Sequence, residues 1–172
     1  MMNNLLYYKL HLDVKDPIHA TTGSACFDLH SFLQKDSVVK VYMNQFEELD
    51  IKERIVQNGR VQVNPTERVL IPTGLIFDIP EGHSLRLYPR SSLALKQGIT
   101  LANNVGIIDS DYVEPVYMMV CNITNYSKYV NDGERICQAE LVKVQTFNMQ
   151  ETVEQPEQKT MRDGGFGSTG KN

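Results

Sequence analysis

Alternation of apolar and polar residues is the dominant pattern along the first 144 positions. Every second residue is apolar in the stretches 8–14 and 75–79, as expected of strands that bury one face. Residues 80–83 have the composition of a turn that leads into a further strand at 85–88. Other candidate strands, most of them bounded by Gly, Pro, Asn or Asp, are 38–41, 59–63, 69–71, 116–123 and 136–144. Many short strands with turns between them predict an all-β sandwich or barrel.

Residues 43–57 are the one segment whose pattern also fits a helix. Apolar residues recur at helical spacing within it, and Glu48 and Lys52 would form an i,i+4 ion pair. Asn58-Gly59 would end such a helix. The same residues fit a hairpin that leaves the sheet and returns to it. The sequence therefore leaves a short surface helix and a hairpin equally open.

Length and composition indicate one domain. The chain has 172 residues, of which 41% are hydrophobic, enough for one well-buried core and short for two. Its longest unbroken apolar run, 116–121, is far shorter than the roughly 20 residues that span a bilayer. No secretory signal is recognisable at the N-terminus. Cys26, Cys121 and Cys137 are odd in number and lack zinc-site spacing, which favours free thiols and a cytoplasmic location.

The charge balance is mildly acidic. Lysine and arginine number 17 against 21 acidic residues, so the formal net charge is -4, and no basic block stands out. The sequence therefore lacks the charge pattern of a protein that binds nucleic acid. An acidic protein that binds a small polyanion needs local hydrogen-bond donors or a divalent cation, because its overall field is repulsive.

The composition changes near residue 148. Residues 148–163 are polar without an apolar period, and four of the eleven glycines fall in the last nine residues. One interpretation is a disordered terminus. The other is a functional arm, because Phe166, Ser168 and Thr169 supply an aromatic face and hydroxyl donors among the glycines. Fully extended, such an arm would reach on the order of 70 Å, enough to cross to a neighbouring subunit.

Two further stretches carry groups suited to a phosphate-bearing ligand. Arg90, Ser91 and Ser92 follow a predicted strand and offer a forked cation beside two hydroxyls, although such a loop is commonly a solvated turn. Asp109 and Tyr112 belong to a predicted hairpin over 99–112. In one interpretation Asp109 is a water-activating acid and Tyr112 is a stacking ring. In the other, they are ordinary turn and core residues. Signatures of zinc proteases, zinc deaminases and nucleophile elbows are missing, so a hydrolase that uses an acid and Mg²⁺ is left.

Five motifs follow one another along the chain. They are Gly23-Ser-Ala-Cys-Phe-Asp28-Leu, Pro89-Arg-Ser-Ser-Leu-Ala94, Asn103 to Tyr112, Gly133-Glu-Arg-Ile-Cys-Gln138 and Arg162-Asp-Gly-Gly-Phe-Gly-Ser-Thr-Gly170. Taken together, they resemble the motifs of the homotrimeric dUTPase family. The resemblance implies a distorted antiparallel jelly roll over residues 1–147, with an insertion at about 34–62. It also implies that residues 148–172 form a flexible arm, which closes over an active site that three chains share.

The resemblance assigns a role to individual residues. One chain would bind uracil around Asn103 and Gly106, with Tyr112 against the deoxyribose. A second chain would hold the phosphates of dUTP through Arg90, Ser91, Ser92 and Gln138. The arm of the third would contribute Arg162, Phe166, Gly167, Ser168 and Thr169. Asp109 would deprotonate the water that attacks the α-phosphate and releases dUMP and pyrophosphate, while Mg²⁺ on the triphosphate would be contacted through water by Asp28.

Two alternatives accompany this hypothesis. One is a dCTP deaminase or a bifunctional dCTP deaminase and dUTPase, although the acidic motif expected of that enzyme is missing. The other is a regulatory protein of the same fold that binds a protein partner through residues 34–62. The chain departs from the family pattern at Val113-Glu114-Pro115 and in an arm motif one residue shorter than usual. These departures fit a divergent member of the family, such as a viral one.

Overall fold

A computed structural model of the chain describes residues 4–45 and 48–161. The described residues form fourteen strands and one short helix. The elements are β1 (Leu6–Lys9), β2 (Ile18–His19), β3 (Phe27–His30), β4 (Val38–Gln45), β5 (Glu48–Ile55), β6 (Arg60–Val63), β7 (Arg68–Pro72), β8 (Leu75–Asp78), β9 (His83–Pro89), α1 (Ser91–Gln97), β10 (Ile99–Leu101), β11 (Gly106–Ile108), β12 (Tyr117–Asn122), β13 (Lys128–Asn131) and β14 (Arg135–Lys143).

Two five-stranded antiparallel sheets make up the body of the fold. The strand order of the first sheet is β10-β12-β7-β4-β5, and that of the second sheet is β11-β9-β14-β3-β2. The two-stranded pairs β1-β8 and β13-β6 complete it. Strands that neighbour each other in a sheet are mostly distant in sequence, as in jelly rolls. The all-β, jelly-roll-like fold predicted from the sequence is confirmed.

The core follows from the alternation along the strands. In β12, Met118 and Val120 are fully buried, whereas the alternate residues Tyr117 and Met119 face solvent. Ile71 on β7 and Leu85 on β9 are equally buried, so both large sheets contribute their inward-facing residues. Burying such a side chain contributes roughly 1.5–3 kcal/mol to stability.

Residues 43–57 form a hairpin, and the helix alternative is wrong. β4 and β5 pair along their whole length, from Val38 opposite Ile55 to Gln45 opposite Glu48. Lys52 forms an ion pair with Asp50 at 2.8 Å instead of the helical pair with Glu48. The strand wins because β5 pairs residue by residue with β4, and β4 in turn pairs with β7, so the backbone hydrogen bonds of the segment are formed within the first sheet.

The hairpin predicted over 99–112 is wrong in its pairing. β10 joins β12 in the first sheet, and β11 joins β9 in the second sheet, so the two limbs do not pair with each other. Residues 102–105 instead carry the chain from one sheet to the other. The tertiary partner of each limb decides its pairing, and nothing within the segment itself reveals that partner.

The strand predicted over 8–14 is shorter than expected. β1 ends at Lys9, and the backbone then turns, with the amide of Val14 donating to the carbonyl of His11 at 3.2 Å. Leu12 is consequently 94% exposed, although Val14 returns to the core. The apolar alternation over 8–14 therefore covers a strand that ends at Lys9 and a turn that follows it.

Two further expectations concern the cysteines and membrane spans. Cys26, Cys121 and Cys137 are free thiols, and burial strongly raises the pKa of Cys137. Within the described ranges, no helix has the length and hydropathy needed to cross a membrane.

Gly98 is required where α1 ends, and its replacement tests the corner that leads into β10. Its φ is +65°, and a Cβ there would overlap the methyl group of Thr124, whose hydroxyl hydrogen-bonds Asn122. We expect Gly98→Ala to lower the free energy of unfolding by at least about 1 kcal/mol more than Gly82→Ala does. Gly82 is the matched control because its φ is +75° but nothing lies within 4 Å. Equal losses in urea unfolding at one protein concentration would contradict this account.

Candidate functional site

A cavity of about 310 Å³ opens where β3, β14 and the end of β9 meet the first turn of α1. We call it the Arg90 cavity. Its polar lining includes Asp28, Arg90, Ser91, Ser92, Arg135 and Gln138. Five of these residues were candidates from the sequence, so the fold brings them together from three separate motifs. Arg135 was not among the predicted site residues, although it lies within the motif over Gly133 to Gln138.

The end of β9 and the start of α1 position the cation and the hydroxyls. Arg90 follows the last residue of β9, and its carbonyl accepts a hydrogen bond from the amide of Ala94 at 3.0 Å. Ser91 and Ser92 form the first turn of α1, which the sequence analysis did not predict. Leu93, only 5% exposed, anchors the helix in the core, so the two serines are fixed at the cavity.

Gln138 occupies the middle of the second sheet. It lies opposite Asp28 on β3 and opposite Tyr88 on β9, and residues directly opposite in a sheet share a face. Its Nε2 donates to the carbonyl of Pro89 at 3.1 Å, which fixes the side-chain amide beside Arg90. The sheet therefore presents amide, guanidinium and carboxylate groups on one face.

Asp28 is the one carboxylate among the described residues that line the Arg90 cavity. Its Oδ1 lies 3.0 Å from Nε of Arg90, and its Oδ2 lies 3.1 Å from an Nη of Arg135. The Asp28 side chain is only 12% exposed, so the two ion pairs are largely shielded from water. Because one carboxylate is shared by two guanidinium groups, the cavity keeps an excess positive charge.

Asp109 lies elsewhere on the chain. It follows β11 and lines a second cavity of about 600 Å³ with Glu81, His83 and Lys143. Ile108 pairs with Leu85 near the start of β9, whereas Arg90 follows the end of that strand. At roughly 3.3 Å per residue, the two sites on one chain are about 20 Å apart.

Asn103 and Gly106 border the loop between the two sheets. The carbonyl of Asn103 accepts from the amide of Val105 at 2.6 Å. A Cβ at Gly106 would lie 3.2 Å from the Cβ of Leu87 and 3.4 Å from the side-chain Nδ2 of Asn103. Glycine therefore permits the close approach of this loop to β9.

Tyr112 is held by the segment that departs from the family pattern. Its hydroxyl donates to the carbonyl of Pro115 at 3.1 Å, and its amide donates to the carbonyl of Asp109. The ring is 40% exposed. Val113 and Glu114, which depart from the family pattern, are exposed to solvent. They therefore do not displace Tyr112 from its place near Asp109.

The arm residues predicted to bind substrate lie outside the described residues. They are Arg162, Phe166, Gly167, Ser168 and Thr169. Residues 144–161 are described and are predominantly exposed, without helix or strand. Phe147, Met149 and Val153 are between 76% and 98% exposed.

The donor set does not fit a magnesium ion held by this chain alone. No group of three or more His, Cys, Asp or Glu side chains converges within the described ranges. Both oxygens of Asp28 are engaged by guanidinium groups, and a dication bound there would lie against two positive charges. A magnesium ion with so few protein ligands depends on substrate phosphates for most of its coordination.

Similar structures first define the class of fold. A dUTPase variant of Staphylococcus bacteriophage 80alpha with dUpNHpp superimposes with a TM-score of 0.74 at 20% identity, covering 98% of this chain and 99% of that one. The dUTPase of Streptococcus mutans has a TM-score of 0.62 at 24% identity, covering 83% and 98%. A dUTPase of S. aureus phage phi11, whose structure concerns a structural Mg(II) ion, has a TM-score of 0.67 at 18% identity, covering 88% and 98%. The protein therefore has the dUTPase fold.

Sequence comparison then defines the family. The dUTPase family model matches residues 55–170. The deoxyuridine 5'-triphosphate nucleotidohydrolase of Finegoldia magna is 37% identical over 154 residues, 90% of each chain. That of Hydrogenobaculum sp. is 35% identical over 166 residues, covering 96% of this chain and 97% of the relative. The chain belongs to the dUTPase family.

Cys26 gives a direct probe of the Arg90 cavity, because it lines the cavity and its pKa is raised by burial and by the nearby carboxylates of Glu140 and Asp28. A raised pKa lowers the thiolate fraction, so we expect iodoacetamide to modify Cys26 more slowly at pH 8 than free cysteine, and faster as the pH rises. Inorganic tripolyphosphate should slow the reaction further by filling the cavity.

Cys121 is the control for this experiment, since burial also raises its pKa but it lies on β12, away from the cavity. Peptide mass spectrometry after timed labelling measures both rates. Equal protection of the two cysteines, or no protection of Cys26, would contradict binding of a polyphosphate in the cavity.

Proposed function

We propose that the protein hydrolyses dUTP to dUMP and pyrophosphate. The observation that carries this proposal is the Arg90 cavity, in which guanidinium, hydroxyl and amide donors converge on one face of the second sheet. Such groups suit phosphate oxygens, and Arg in particular binds them through two parallel N–H groups. Membership of the dUTPase family supports a uracil nucleotide as the carrier of those phosphates. The reaction would lower dUTP and supply dUMP.

The active site is proposed to form between chains of a homotrimer. Asp109 and Arg90 of one chain are about 20 Å apart along β9 at the usual rise of a strand. This separation is too large for both to contact the reacting phosphate of one nucleotide. A symmetric assembly can place the Asp109 end of one chain beside the Arg90 cavity of the next.

Asp109 is the proposed catalytic base. Its exposed carboxylate would hold a water and take one proton as the water oxygen bonds to the α-phosphorus. The bond from that phosphorus to the bridging oxygen then breaks, and pyrophosphate leaves. A carboxylate is only a modest base, so alignment of the water and charge stabilisation by Arg90 supply most of the rate.

Specificity is proposed to come from the loop between the sheets and from Tyr112. Uracil would hydrogen-bond the backbone around Asn103 and Gly106, where the tight loop excludes the methyl group of thymine. Tyr112, held by its bond to Pro115, would pack against the deoxyribose and leave no room for a 2′-hydroxyl. Steric exclusion of this kind discriminates strongly between similar ligands.

Magnesium is proposed to accompany the triphosphate. It would neutralise charge on the phosphates, which an acidic chain otherwise repels. Asp28 is proposed to contact its water shell, although both carboxylate oxygens of Asp28 also face guanidinium groups. The arm residues Arg162, Phe166, Gly167, Ser168 and Thr169 are proposed to cover the bound nucleotide from a third chain.

A direct assay tests this function. Pyrophosphate release should be fastest with dUTP, far slower with dCTP, dTTP and UTP, and strongly dependent on added Mg²⁺. A dCTP deaminase or bifunctional enzyme would instead release ammonia from dCTP. An absence of pyrophosphate release from dUTP with Mg²⁺ present would overturn the proposal.

Complementation tests the shared site. Asp109→Asn and Arg90→Ala should each lose turnover by at least about two orders of magnitude, since each removes a group that acts on the transition state. Refolding the two inactive variants together in equal amounts should restore about a quarter of wild-type activity, because a site needs one intact contributor from each type of chain. The control is each variant refolded alone. Failure to regain activity in mixed trimers would argue for self-contained subunits.

Binding of a regulatory protein through residues 34–62 is a second candidate function. The observation that favours it is the solvent-facing side of the β4-β5 hairpin, where Leu49, Ile51 and Ile55 are each more than half exposed. Among the similar structures, phage 80alpha dUTPases are described as controlling the transfer of virulence genes. A partner that binds here would lose affinity for Leu49→Ser and Ile51→Ser variants while dUTP hydrolysis is kept.

A further inference from the structure

A further pocket, of about 250 Å³, lies between the end of β5, the turn that follows it and the paired strands β6 and β13. We call it the Arg60 pocket. Its lining shares no residue with the Arg90 cavity or with the cavity beside Asp109, and it includes no aspartate or glutamate among the described residues. The polar residues that line it are Arg54, Gln57, Asn58, Arg60, Gln62 and Tyr129. In a chain with a formal net charge of -4, this pocket is a local exception that attracts anions.

Arg60 is the cation of this pocket that lacks an acidic partner. Arg54 is neutralised by Glu67, whose two carboxylate oxygens accept from its guanidinium group. The guanidinium of Arg60 instead lies over the ring of Tyr129, 4.6 Å from its centroid. Within residues 4–45 and 48–161, no carboxylate lies at ion-pair distance from Arg60. The ring holds the guanidinium in place, and its N–H groups stay available to an anion.

The turn beside Arg60 is rigid and adds two side-chain amides. Asn58 and Gly59 have φ values of 53° and 66°, as in the tight turns that suit a hairpin. The amides of Gln57 and Arg60 donate to each other's carbonyls at 3.0 and 3.1 Å, and the amide of Asp132 donates to the carbonyl of Gly59 at 2.7 Å. The side chains of Gln57 and Asn58 form no hydrogen bond with the described part of the chain. One guanidinium and two amides at a fixed turn are donors that suit a carboxylate.

The tail of the protein supplies carboxylates that lack a cation. We call residues 151–157 the acidic segment, because it contains three glutamates and no basic residue. It is exposed, without helix or strand, and no described residue forms an ion pair with its glutamates. Val153, directly before Glu154, is 98% exposed, and Ile55 at the border of the Arg60 pocket is 56% exposed. An apolar residue beside an acid in the segment therefore matches an apolar residue beside a cation at the pocket.

The Arg60 pocket lies toward the end of the molecule that carries the Arg90 cavity. Asp132, which binds the turn at Gly59, is three residues before Arg135, a span of at most roughly 10 Å. The carbonyl of Arg135 accepts from Nη1 of Arg90 at 3.0 Å. The turn that borders the pocket is therefore connected to the Arg90 cavity through a short stretch of chain.

The acidic segment starts from the opposite end. The tail follows Lys143, which lies opposite His83 at the start of β9, near Asp109. Glu154 comes eleven residues after Lys143, so it can reach up to about 36 Å from there. In the proposed assembly, the Asp109 end of one chain lies beside the Arg90 cavity of the next. The acidic segment of one copy would then emerge within reach of the Arg60 pocket of another.

We propose that the Arg60 pocket binds the acidic segment of a second copy of the chain, with a glutamate carboxylate on Arg60 and an apolar contact at Ile55. The contact lies outside the nucleotide site. It holds the first part of the tail on the neighbouring chain and so raises the local concentration of residues 162–169 there. The inference rests on the assembly of several copies that the proposed function requires.

Crosslinking tests the contact directly. A water-soluble carbodiimide joins a lysine amine to a carboxylate that it touches, and Arg60→Lys keeps the positive charge in the pocket. The unlabelled variant and its ¹⁵N-labelled form are refolded together in equal amounts, crosslinked and digested for mass spectrometry. About half of the crosslinks between position 60 and the acidic segment should join a labelled to an unlabelled peptide, because copies mix at random.

Lys40 is the internal control for this experiment, since it is an exposed lysine on β4 outside the pocket. It should give at least about tenfold fewer crosslinks to the acidic segment. Crosslinks at position 60 that join only peptides of the same label would show that the segment returns to its own chain, and they would overturn the proposal.

Proteolysis with a glutamate-specific protease decides the matter if the lysine variant does not crosslink. Arg60→Gln should speed cleavage within the acidic segment at least about threefold, because the undocked segment is open to the protease more of the time. Lys40→Gln, the matched loss of a cation, should leave the rate unchanged. Labelled Arg60→Gln refolded with an excess of unlabelled wild type should regain the slow rate, since its segment then meets intact pockets on other chains.

The results separate this contact from the proposed function. Equal cleavage of Arg60→Gln and Lys40→Gln, or fast cleavage of the labelled variant within wild-type assemblies, would overturn the contact. A wild type that forms trimers in light scattering and hydrolyses dUTP but fails these tests refutes the contact alone. A monomeric wild type would refute the shared site of the proposed function together with this contact.

Discussion

The stiffness of β9 is the constraint on which the functional arrangement depends. Asp109 lies beside the start of this strand and Arg90 follows its end, so a single chain holds the proposed base and the proposed phosphate-binding groups about 20 Å apart at the usual strand rise. No rearrangement of loops shortens a paired strand. The arm leaves β14 at Lys143, opposite His83, and therefore starts at the Asp109 end. Under the proposed function, another copy of the chain would therefore have to complete the site.

Local charge resolves the conflict between an acidic protein and the polyanionic ligand proposed for it. The whole chain has a formal net charge of -4, yet the Arg90 cavity carries two arginines around one carboxylate. A sheet face allows this because Asp28, Gln138 and, through a β-bulge in β14, Arg135 all point the same way. The cost of burying Asp28 is offset by two ion pairs, and the same pairs orient the cations.

Much of the fold could be predicted because it depends on local alternation, and much of the site because its residues fall within recognisable motifs. Asp28, Arg90 and Gln138 were identified in this way, and the structure brings them to one cavity. The contact between Asp28 and Arg135 could not be predicted, since it joins positions 107 residues apart through a bulge that leaves no mark in the sequence. The pairing of the 99–112 segment was wrong for a similar reason, because its partners are remote strands.

The β4-β5 hairpin was undecided from sequence because Glu48 and Lys52 suit a helix, but the structure ties it to the segment before β7 through Arg54. The guanidinium of Arg54 binds both carboxylate oxygens of Glu67, at 2.6 and 2.8 Å, and the Glu67 side chain is 5% exposed. Burial raises the pKa of Glu67, but hydrogen bonds from Arg54 and Asn64 outweigh burial and lower it overall. The pair therefore stabilises the fold above the ordinary pKa of a glutamate and loses that contribution as the pH falls below it. A hairpin held in this way keeps Leu49, Ile51 and Ile55 exposed on one side of β5.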